Sequence, residues 1–195
     1  HKITRKQLNI IGNGNINGID SVYFNPVSIS QTDKVKLKKD LNICDKDFVY
    51  VFVGRIVSNK GISELVKAFA QINTDYQHTK LLLVGSLEKE LDPLDDATMK
   101  TMEENRNIIL TGFQSDIRPY LAISNVFVFP SYREGFPNVV IQAGAMELPS
   151  IVTDINGCNE IIADRINGFI IPVRNIDSLR EKMVQYLTDK STLQM

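Results

Sequence analysis

The sequence is poor in the residues that build metal sites and redox sites. Among its 195 residues are only two cysteines, Cys44 and Cys158, which lie far apart and match neither a zinc spacing nor a redox spacing. The two histidines, His1 and His78, offer no pair of metal ligands either. We therefore expect no metal site, and the low cysteine usage predicts a reducing, cytoplasmic location.

The sequence also lacks an excess of charge and a long apolar run. Its 22 Lys and Arg nearly balance its 23 Asp and Glu, and the net charge of −1 argues against nucleic acid as a partner. No apolar run approaches the ~18 residues that cross a bilayer, and from the opening residues we expect no signal peptide. Because the first residue is His1 rather than methionine, we expect a piece of a longer protein.

What the sequence does contain is a regular alternation of short apolar runs with helical segments. The runs, rich in β-branched and aromatic residues, predict buried strands at 48–54, 80–86, 107–112, 126–131, 149–154 and 168–173. Between the strands we expect five helices. Three have predicted ranges, 61–72, 159–164 and 176–188; one begins after Ser115, which would be its N-cap, and one begins at Pro137. Strands that are apolar throughout and alternate with helices indicate a parallel sheet covered on both faces. The predicted fold class is α/β, a Rossmann-like doubly wound parallel sheet.

The first 47 residues have a different composition. Glycine and asparagine are frequent before Pro26, which is typical of turns, and a basic helix follows with four lysines, at 34, 36, 38 and 39. Such a helix could touch an anionic membrane surface. A solvated helix face is the simpler interpretation, because two aspartates accompany the lysines.

In a doubly wound sheet, ligands bind where strands end and loops lead into helices. After the first predicted strand, Gly54, Arg55, Lys60 and Gly61 precede a helix. Two cations beside the free N–H groups of a helix start form a candidate anion site, suited to a diphosphate. The alternative is that Arg55 and Lys60 are surface charges of a loop.

A second such strand end carries the stretch YREGFPN, residues 132–138. Pro137 suits the first turn of a helix, and Gly135 permits close approach of the backbone to a ligand. The N–H groups near Asn138 and Val139 would then face the same crevice, where Glu134 could accept hydrogen bonds from ligand hydroxyls. Alternatively, Glu134 only stabilises the helix dipole, and Gln142 in the second turn is a polar residue at the core edge.

Four stretches together resemble a known family: GRIVSNKG, LLLVGS, IILTGFQSDIRPYLAISNVFVFPSYREGFPNVVIQAGAM and VTDINGCNEII. They are similar to the C-terminal half of retaining glycosyltransferases of the GT-B fold, family four, and the resemblance covers about residues 8–190. Many bacterial members of that family assemble capsule, O-antigen or other surface polysaccharides. The resemblance implies a linker segment and basic helix at 1–47 and a Rossmann-like donor-binding domain at 48–195. The acceptor domain would precede residue 1.

The resemblance also implies a function. A hexose or N-acetylhexosamine would pass, with retention, from a nucleotide sugar, expected to be UDP-linked, to a saccharide or polyprenyl-linked acceptor. The partners would be these substrates and the missing N-terminal domain, at or near the inner face of the cell membrane. Such enzymes need no metal and no cofactor, and the isolated piece should bind donor without transferring it.

The resemblance assigns roles to particular residues. Arg55 and Lys60 match the basic pair on the donor diphosphate, and Glu134 matches the first Glu of a Glu-x7-Glu motif that binds sugar hydroxyls. Gly112 and Phe113 match the loop that holds the base, with Asp116 beside it. The expected catalytic residues are Arg55, Lys60 and Glu134, and the expected donor-binding residues are Gly54, Gly85, Gly112, Phe113, Asp116, Gly135, Phe136, Pro137, Asn138, Val139 and Gln142.

The sequence departs from the family pattern at two positions. Gln142 replaces the second Glu of the motif, and loss of a charge-assisted hydrogen bond to the ribose would cost roughly 1 kcal/mol. Glu147 stands where the family often has glycine, so a left-handed backbone there would be strained.

Two other functions remain open at this stage. One is a nucleotide-sugar-binding module without catalysis, which Gln142 favours and the presence of Arg55, Lys60 and Glu134 disfavours. The other is a GT-B epimerase or phosphorylase, for which the sequence gives no characteristic catalytic residues.

Overall fold

The computed structural model describes residues 18–88, 90–189 and 191–192 and shows a six-stranded sheet flanked by helices. The strands are β1 (Phe48–Val53), β2 (Thr79–Val84), β3 (Ile108–Gly112), β4 (Val126–Phe129), β5 (Ser150–Thr153) and β6 (Gly168–Ile171). The α-helices are α1 (Gln31–Asp40), α2 (Ile62–Asp75), α3 (Asp96–Glu104), α4 (Arg118–Ala122), α5 (Asn138–Ala145), α6 (Cys158–Ile161) and α7 (Ile176–Thr188). Residues 1–17 of the predicted linker segment lie outside the described residues.

The sheet is parallel throughout, in the order β3-β2-β1-β4-β5-β6. The chain therefore builds one half of the sheet outward from β1, crosses back after β3, and builds the other half outward from β4. Helix α2 packs on α3 and α7, whereas α1 packs on α4 and α5 packs on α6. This arrangement confirms the Rossmann-like doubly wound sheet and places its switch point between β1 and β4.

The core consists of the strands and the apolar faces of the helices packed on them. The segment Val49–Phe52 is at most 1% exposed, and α2 buries Leu65, Phe69 and Ile72 as its helical spacing predicts. The hydroxyl of the buried Tyr50 donates to the carbonyl oxygen of Met183 at 2.7 Å, which joins β1 to α7. A sheet buried on both faces fixes the positions of the strand ends that carry the candidate site.

Ser115 is not the N-cap predicted for α4. The helix begins at Arg118, with Ile117 as N-cap and Pro119 in its first turn. A helix capped by Ser115 would place Pro119 where its missing N–H removes the first bond of the helix, so the start moves along the chain. Instead, Asp116 accepts a hydrogen bond from the N–H of Arg118 at 3.0 Å.

Two helices near the site also differ from expectation. Pro137 is the N-cap of α5 rather than its first helical residue. Helix α3 was not predicted, because few of its residues are apolar and its only long apolar side chains are Met99 and Met102. The left-handed backbone anticipated for Glu147 is confirmed, with φ 60° directly after α5.

The basic helix is present as α1 and has no buried residue. One of its lysines, Lys38, pairs with Asp45 at 3.3 Å, a contact at the protein surface. Within the part of the chain that the structure describes, no helix has the length and apolar character needed to cross a membrane. Contact of α1 with a membrane surface stays a prediction.

Candidate functional site

A cavity of about 510 Å³ opens at the switch point, where the loops after β1 and β4 meet. The two strands pair in register, Tyr50 with Val126 and Val51 with Phe127, so their carboxyl ends lie side by side. The lining residues are Arg55, Asn59, Lys60, Tyr132, Arg133, Glu134 and Gly135. The three residues expected to be catalytic therefore share one cavity, although they come from loops far apart in the sequence.

Lys60 and Glu134 form an ion pair that joins the two loops across this cavity. Glu134 also accepts a hydrogen bond from the hydroxyl of Ser131 at 2.7 Å, and the Lys60 ammonium lies 5.8 Å from the Phe129 ring centre. Their side chains are 15% and 16% exposed. Neither is a solvated surface charge, and Glu134 does more than stabilise the dipole of α5.

Arg55 lies at the edge of the same cavity and is more open to solvent. Its guanidinium pairs with Glu88, from the loop after β2, at 3.1 Å, and its side chain is 55% exposed. A ligand phosphate at Arg55 would compete with the Glu88 carboxylate. Because the pair is solvated, that exchange costs little.

The loop after β1 is placed by backbone contacts. A short 3₁₀ turn, Ser58–Lys60, leads to Gly61, whose backbone is left-handed with φ 70°. A Cβ atom at Gly61 would collide with the carbonyl oxygen of Pro130, so only glycine lets the start of α2 approach the end of β4 this closely. Asp92 accepts hydrogen bonds from the N–H groups of Asn59 (2.7 Å) and Ser58 (3.1 Å), which holds the turn from the other side.

The loop after β4 is fixed mainly by Tyr132. Its N–H donates to the carbonyl oxygen of Asn59 at 2.9 Å, and its hydroxyl donates to the carboxylate of Glu64 at 2.6 and 2.7 Å. The Arg174 guanidinium lies over its ring, 4.5 Å from the centre. Burial, aided by the hydrogen bond to Glu64, raises the pKa of Tyr132 to about 12. The phenol therefore remains a hydrogen-bond donor at neutral pH.

The start of α5 carries polar groups without hydrogen-bond partners among the described residues. The helix has no side-chain cap at Pro137, so its first N–H groups are left for another acceptor. The side-chain oxygen of Asn138 is buried and has no hydrogen-bond partner among the described residues. Free donors at a helix start beside a glycine loop can bind an anion or an oxygen-rich ligand.

A buried thiol lies close to the central ion pair. Cys158 is the first residue of α6 and is fully buried. Burial raises the pKa of Cys158 to about 12, with the Glu134 carboxylate adding to the shift and the Lys60 ammonium opposing it. The neutral thiol therefore contributes packing rather than charge.

The loop after β3 is the one predicted to hold the base. In the sheet, β2 and β1 lie between β3 and the switch point. Gly112 has a left-handed backbone, with φ 70°, and the Phe113 ring is 75% exposed. Asp116 is engaged by the guanidinium of Arg118 at 2.6 and 2.9 Å, and this hydrogen bonding lowers the pKa of Asp116. Arg118 also lies 3.5 Å from the ring centre of Tyr23. The exposed Phe113 is free to stack on a ligand, whereas Asp116 is committed to Arg118.

The remaining predicted residues do not line the cavity. Gln142 is half-buried on α5, and its side chain makes no hydrogen bond to the residues that the structure describes. Gly54 and Gly85 lie against each other at the ends of β1 and β2, so close that a Cβ at Gly85 would collide with the Gly54 carbonyl. The other glycine-loop residues, Phe136, Pro137 and Val139, lead from the cavity rim into α5.

Sequence reasoning missed Asn59, Tyr132 and Arg133 as lining residues and Glu88 as the partner of Arg55. Tyr132 and Arg133 directly precede Glu134, so nearness to a predicted site residue was the one signal available. Their contacts depend on loops that meet only in the folded chain. Among the described residues, no three Asp, Glu, His or Cys side chains converge as metal ligands.

Comparisons with known proteins identify the family of this chain. A family model described as Glycosyl transferases group 1 matches residues 33–195. The chain belongs to the glycosyl transferases group 1 family. The capsular polysaccharide biosynthesis glycosyltransferase CapM of Staphylococcus aureus is 35% identical over 186 residues, which cover 95% of this chain and 47% of CapM.

A second relative is the Escherichia coli UDP-Gal:alpha-D-GlcNAc-diphosphoundecaprenol alpha-1,3-galactosyltransferase. It is 31% identical over 176 residues, which cover 89% of this chain and 44% of that enzyme. Both relatives are glycosyltransferases, and CapM is named for the biosynthesis of capsular polysaccharide. The chain spans about half the length of the relatives that it matches.

Among solved structures, Anabaena HepE in complex with UDP-glucose superposes with a TM-score of 0.80 at 23% identity. The match covers 91% of this chain and 48% of HepE. At that level of identity the likeness shows the fold alone. It confirms the fold expected from the resemblance, the C-terminal Rossmann-like half of a GT-B glycosyltransferase.

Proposed function

We propose that this chain is the donor-binding half of a retaining glycosyltransferase that uses a UDP-sugar. The observation that carries the proposal is the pairing of Lys60 with Glu134 across the switch point, with Arg55 in the same cavity. Doubly wound folds bind ligands at this place, and two cations there suit a diphosphate. Membership of the group 1 family supports the transfer of a glycosyl group, and HepE binds UDP-glucose.

In the proposed reaction, the bond between the anomeric carbon of the donor and the diphosphate oxygen breaks. Negative charge then grows on the leaving nucleoside diphosphate, where Arg55 and Lys60 neutralise it. An acceptor hydroxyl attacks on the face from which the diphosphate leaves and gives its proton to the departing diphosphate oxygen, so the configuration is retained without an enzyme nucleophile. With these cations in place of a metal ion, we propose metal-independent transfer with no cofactor.

The donor sugar would be held by Glu134 and the glycine loop. Glu134 accepts hydrogen bonds from sugar hydroxyls and shares its carboxylate between them and Lys60. Apart from Pro137, the residues from Gly135 to Val139 offer backbone N–H groups at the start of α5, where the helix dipole favours a phosphate. Phe113, exposed at the end of β3, stacks on the base.

We propose a saccharide or polyprenyl-linked acceptor, as used in the synthesis of capsule, O-antigen or exopolysaccharide. The support is the name of the Escherichia coli relative, whose acceptor is a diphosphoundecaprenol-linked sugar. Transfer to such a lipid would take place at the cytoplasmic face of the membrane. The basic helix α1 is the candidate for peripheral contact with that surface, since its last turn carries Lys38 and Lys39.

Calorimetric titration of the chain with UDP, GDP and ADP tests the donor site. We expect UDP to bind best, and Lys60→Ala to weaken UDP binding roughly ten- to hundredfold, because charge-assisted hydrogen bonds are lost. Arg106→Ala is the matched control: Arg106 is exposed and precedes β3, at the opposite edge of the sheet from the cavity. Failure of UDP to bind, or equal binding by Lys60→Ala, would contradict the proposed donor site.

The second candidate function is a nucleotide-binding module that no longer catalyses, and Gln142 is the residue that favours it. Gln142→Glu restores a carboxylate, which we expect to tighten UDP binding about fivefold through charge-assisted bonds to the ribose. The same variant titrated with 2′,3′-dideoxy-UDP should show no gain, because the ribose hydroxyls are absent. A gain that survives with the dideoxy nucleotide would show that Gln142 does not face the ribose.

A further inference from the structure

Three cationic side chains line the cavity at the switch point, and carboxylates pair with only two of them. Arg55 pairs with Glu88, and Lys60 pairs with Glu134. Arg133 also lines the cavity, is exposed, and forms no ion pair with any residue that the structure describes. Without a ligand, the positive charge of the cavity is therefore that of Arg133.

The backbone of Arg133 is fixed on both sides. Tyr132 before it is bound to Asn59 and Glu64, and Glu134 after it is bound to Ser131 and Lys60. A cation on an anchored loop needs to order only its own side chain when it binds an anion. That lowers the entropic cost of binding relative to a cation on a mobile loop.

We propose that Arg133 is a third phosphate-binding residue of this site, which contacts a phosphate oxygen of the substrate in addition to Arg55 and Lys60. The inference rests on the proposed function, because it takes the ligand to be a diphosphate. A diphosphate carries negative charge on each phosphate, whereas Arg55 and Lys60 already have carboxylate partners. A guanidinium stays charged and offers paired N–H donors that match phosphate oxygens.

The phosphate could belong to either substrate. The donor carries one diphosphate, and a polyprenyl-linked acceptor of the kind named for the Escherichia coli relative carries another. The chemistry that Arg133 recognises is the same in both cases. Two soluble probes separate the sources: UDP stands for the donor, and farnesyl diphosphate stands for the lipid-linked acceptor.

Titration of the wild-type chain and of Arg133→Gln with these two probes tests the proposal. We expect Arg133→Gln to weaken binding of at least one probe about five- to tenfold, with no change in thermal midpoint, since the side chain is exposed. A loss with UDP assigns Arg133 to the donor, and a loss confined to farnesyl diphosphate assigns it to the acceptor. Arg133→Lys should recover part of the affinity by restoring the charge, and Arg106→Gln should change neither probe.

Two outcomes overturn the proposal in distinguishable ways. If wild type binds UDP and Lys60→Ala weakens it, while Arg133→Gln binds both probes as wild type does, the role of Arg133 is wrong and the donor site stands. If wild type binds neither probe, the role of Arg133 and the proposed function fail together. A loss of affinity that is equal for uridine, which has no phosphate, would also refute phosphate recognition by Arg133.

Discussion

Tyr132 shows how one residue, through its backbone and its side chain, joins the loop after β4 to three neighbouring segments. Its N–H and hydroxyl bind the loop after β1 and the first turn of α2, through Asn59 and Glu64. Arg174, from the loop after β6, covers its ring. Because the residues directly after Tyr132 are Arg133 and Glu134, the contacts of this tyrosine determine where two charged groups of the site lie.

Tyr132→Phe tests that anchor. The variant keeps the ring and removes the donor, which leaves the half-buried Glu64 carboxylate without its hydrogen bond. We expect the free energy of unfolding to fall by about 1–2 kcal/mol, measured by urea denaturation. Tyr120→Phe is the control, since Tyr120 is also partly buried but its hydroxyl donates to no described residue. Equal stability of Tyr132→Phe and wild type would show that the hydrogen bond to Glu64 is replaced by water at no cost.

At the scale of elements, the backbone after the C-terminal end of α5 is strained at a position where glycine would relieve the strain. The N–H of Glu147 donates to the carbonyl oxygen of Gly144 at 2.9 Å, and the N–H of Leu148 donates to that of Ala143 at 3.0 Å. These two bonds are the Schellman pattern, in which the residue after the helix is left-handed and glycine is preferred. Here Glu147 occupies that position, with φ 60° and its carboxylate at the negative end of the helix dipole.

Glu147→Gly should therefore stabilise the chain. A left-handed backbone costs a residue with a Cβ roughly 1–2 kcal/mol, and the greater freedom of glycine in the unfolded chain returns part of that gain. We expect a net increase of about 0.5–1 kcal/mol in the free energy of unfolding, seen as a higher urea midpoint. Glu147→Ala separates the two causes, because it removes the charge and keeps the Cβ. If alanine stabilises as much as glycine, the charge and not the backbone is responsible.

The elements differ in how far the sequence predicts them. All six predicted strands are present, each within two residues at either end, because buried parallel strands are apolar throughout. Helix α7 was predicted with its observed bounds, since Leu179 and Met183 lie on its buried face. Helix α3 was missed because little of it is apolar, and the N-cap at Ser115 was wrong because Pro119 moves the helix start.

The candidate site was predictable in part for a physical reason. Strand ends of a parallel sheet meet at one edge, so Arg55, Lys60 and Glu134 could be placed together from the order of elements alone. The pairing of Lys60 with Glu134, and of Arg55 with Glu88, depends on loop geometry that carries no periodic signal. Sequence patterns can therefore identify residues of such a site, but they do not predict the ion pairs that these residues form.

At the scale of the whole molecule, the described residues form one continuous six-stranded sheet with its own core. All six strands are paired, and the core extends from β3 to β6 without interruption. The chain nevertheless spans about half the length of its curated relatives. We propose that residues 1–195 suffice for folding and donor binding but do not suffice to position an acceptor for transfer.

That division predicts binding without transfer. Holding both reactants in a reactive geometry lowers the activation free energy by about 7–11 kcal/mol. A chain that holds only the donor lacks this contribution. Incubated with a radiolabelled UDP-sugar and a polyprenyl-diphosphate-linked saccharide, this chain should give no labelled lipid above a Lys60→Ala control, although calorimetry detects UDP. Transfer by this chain alone, abolished in Lys60→Ala, would instead place acceptor binding within residues 1–195.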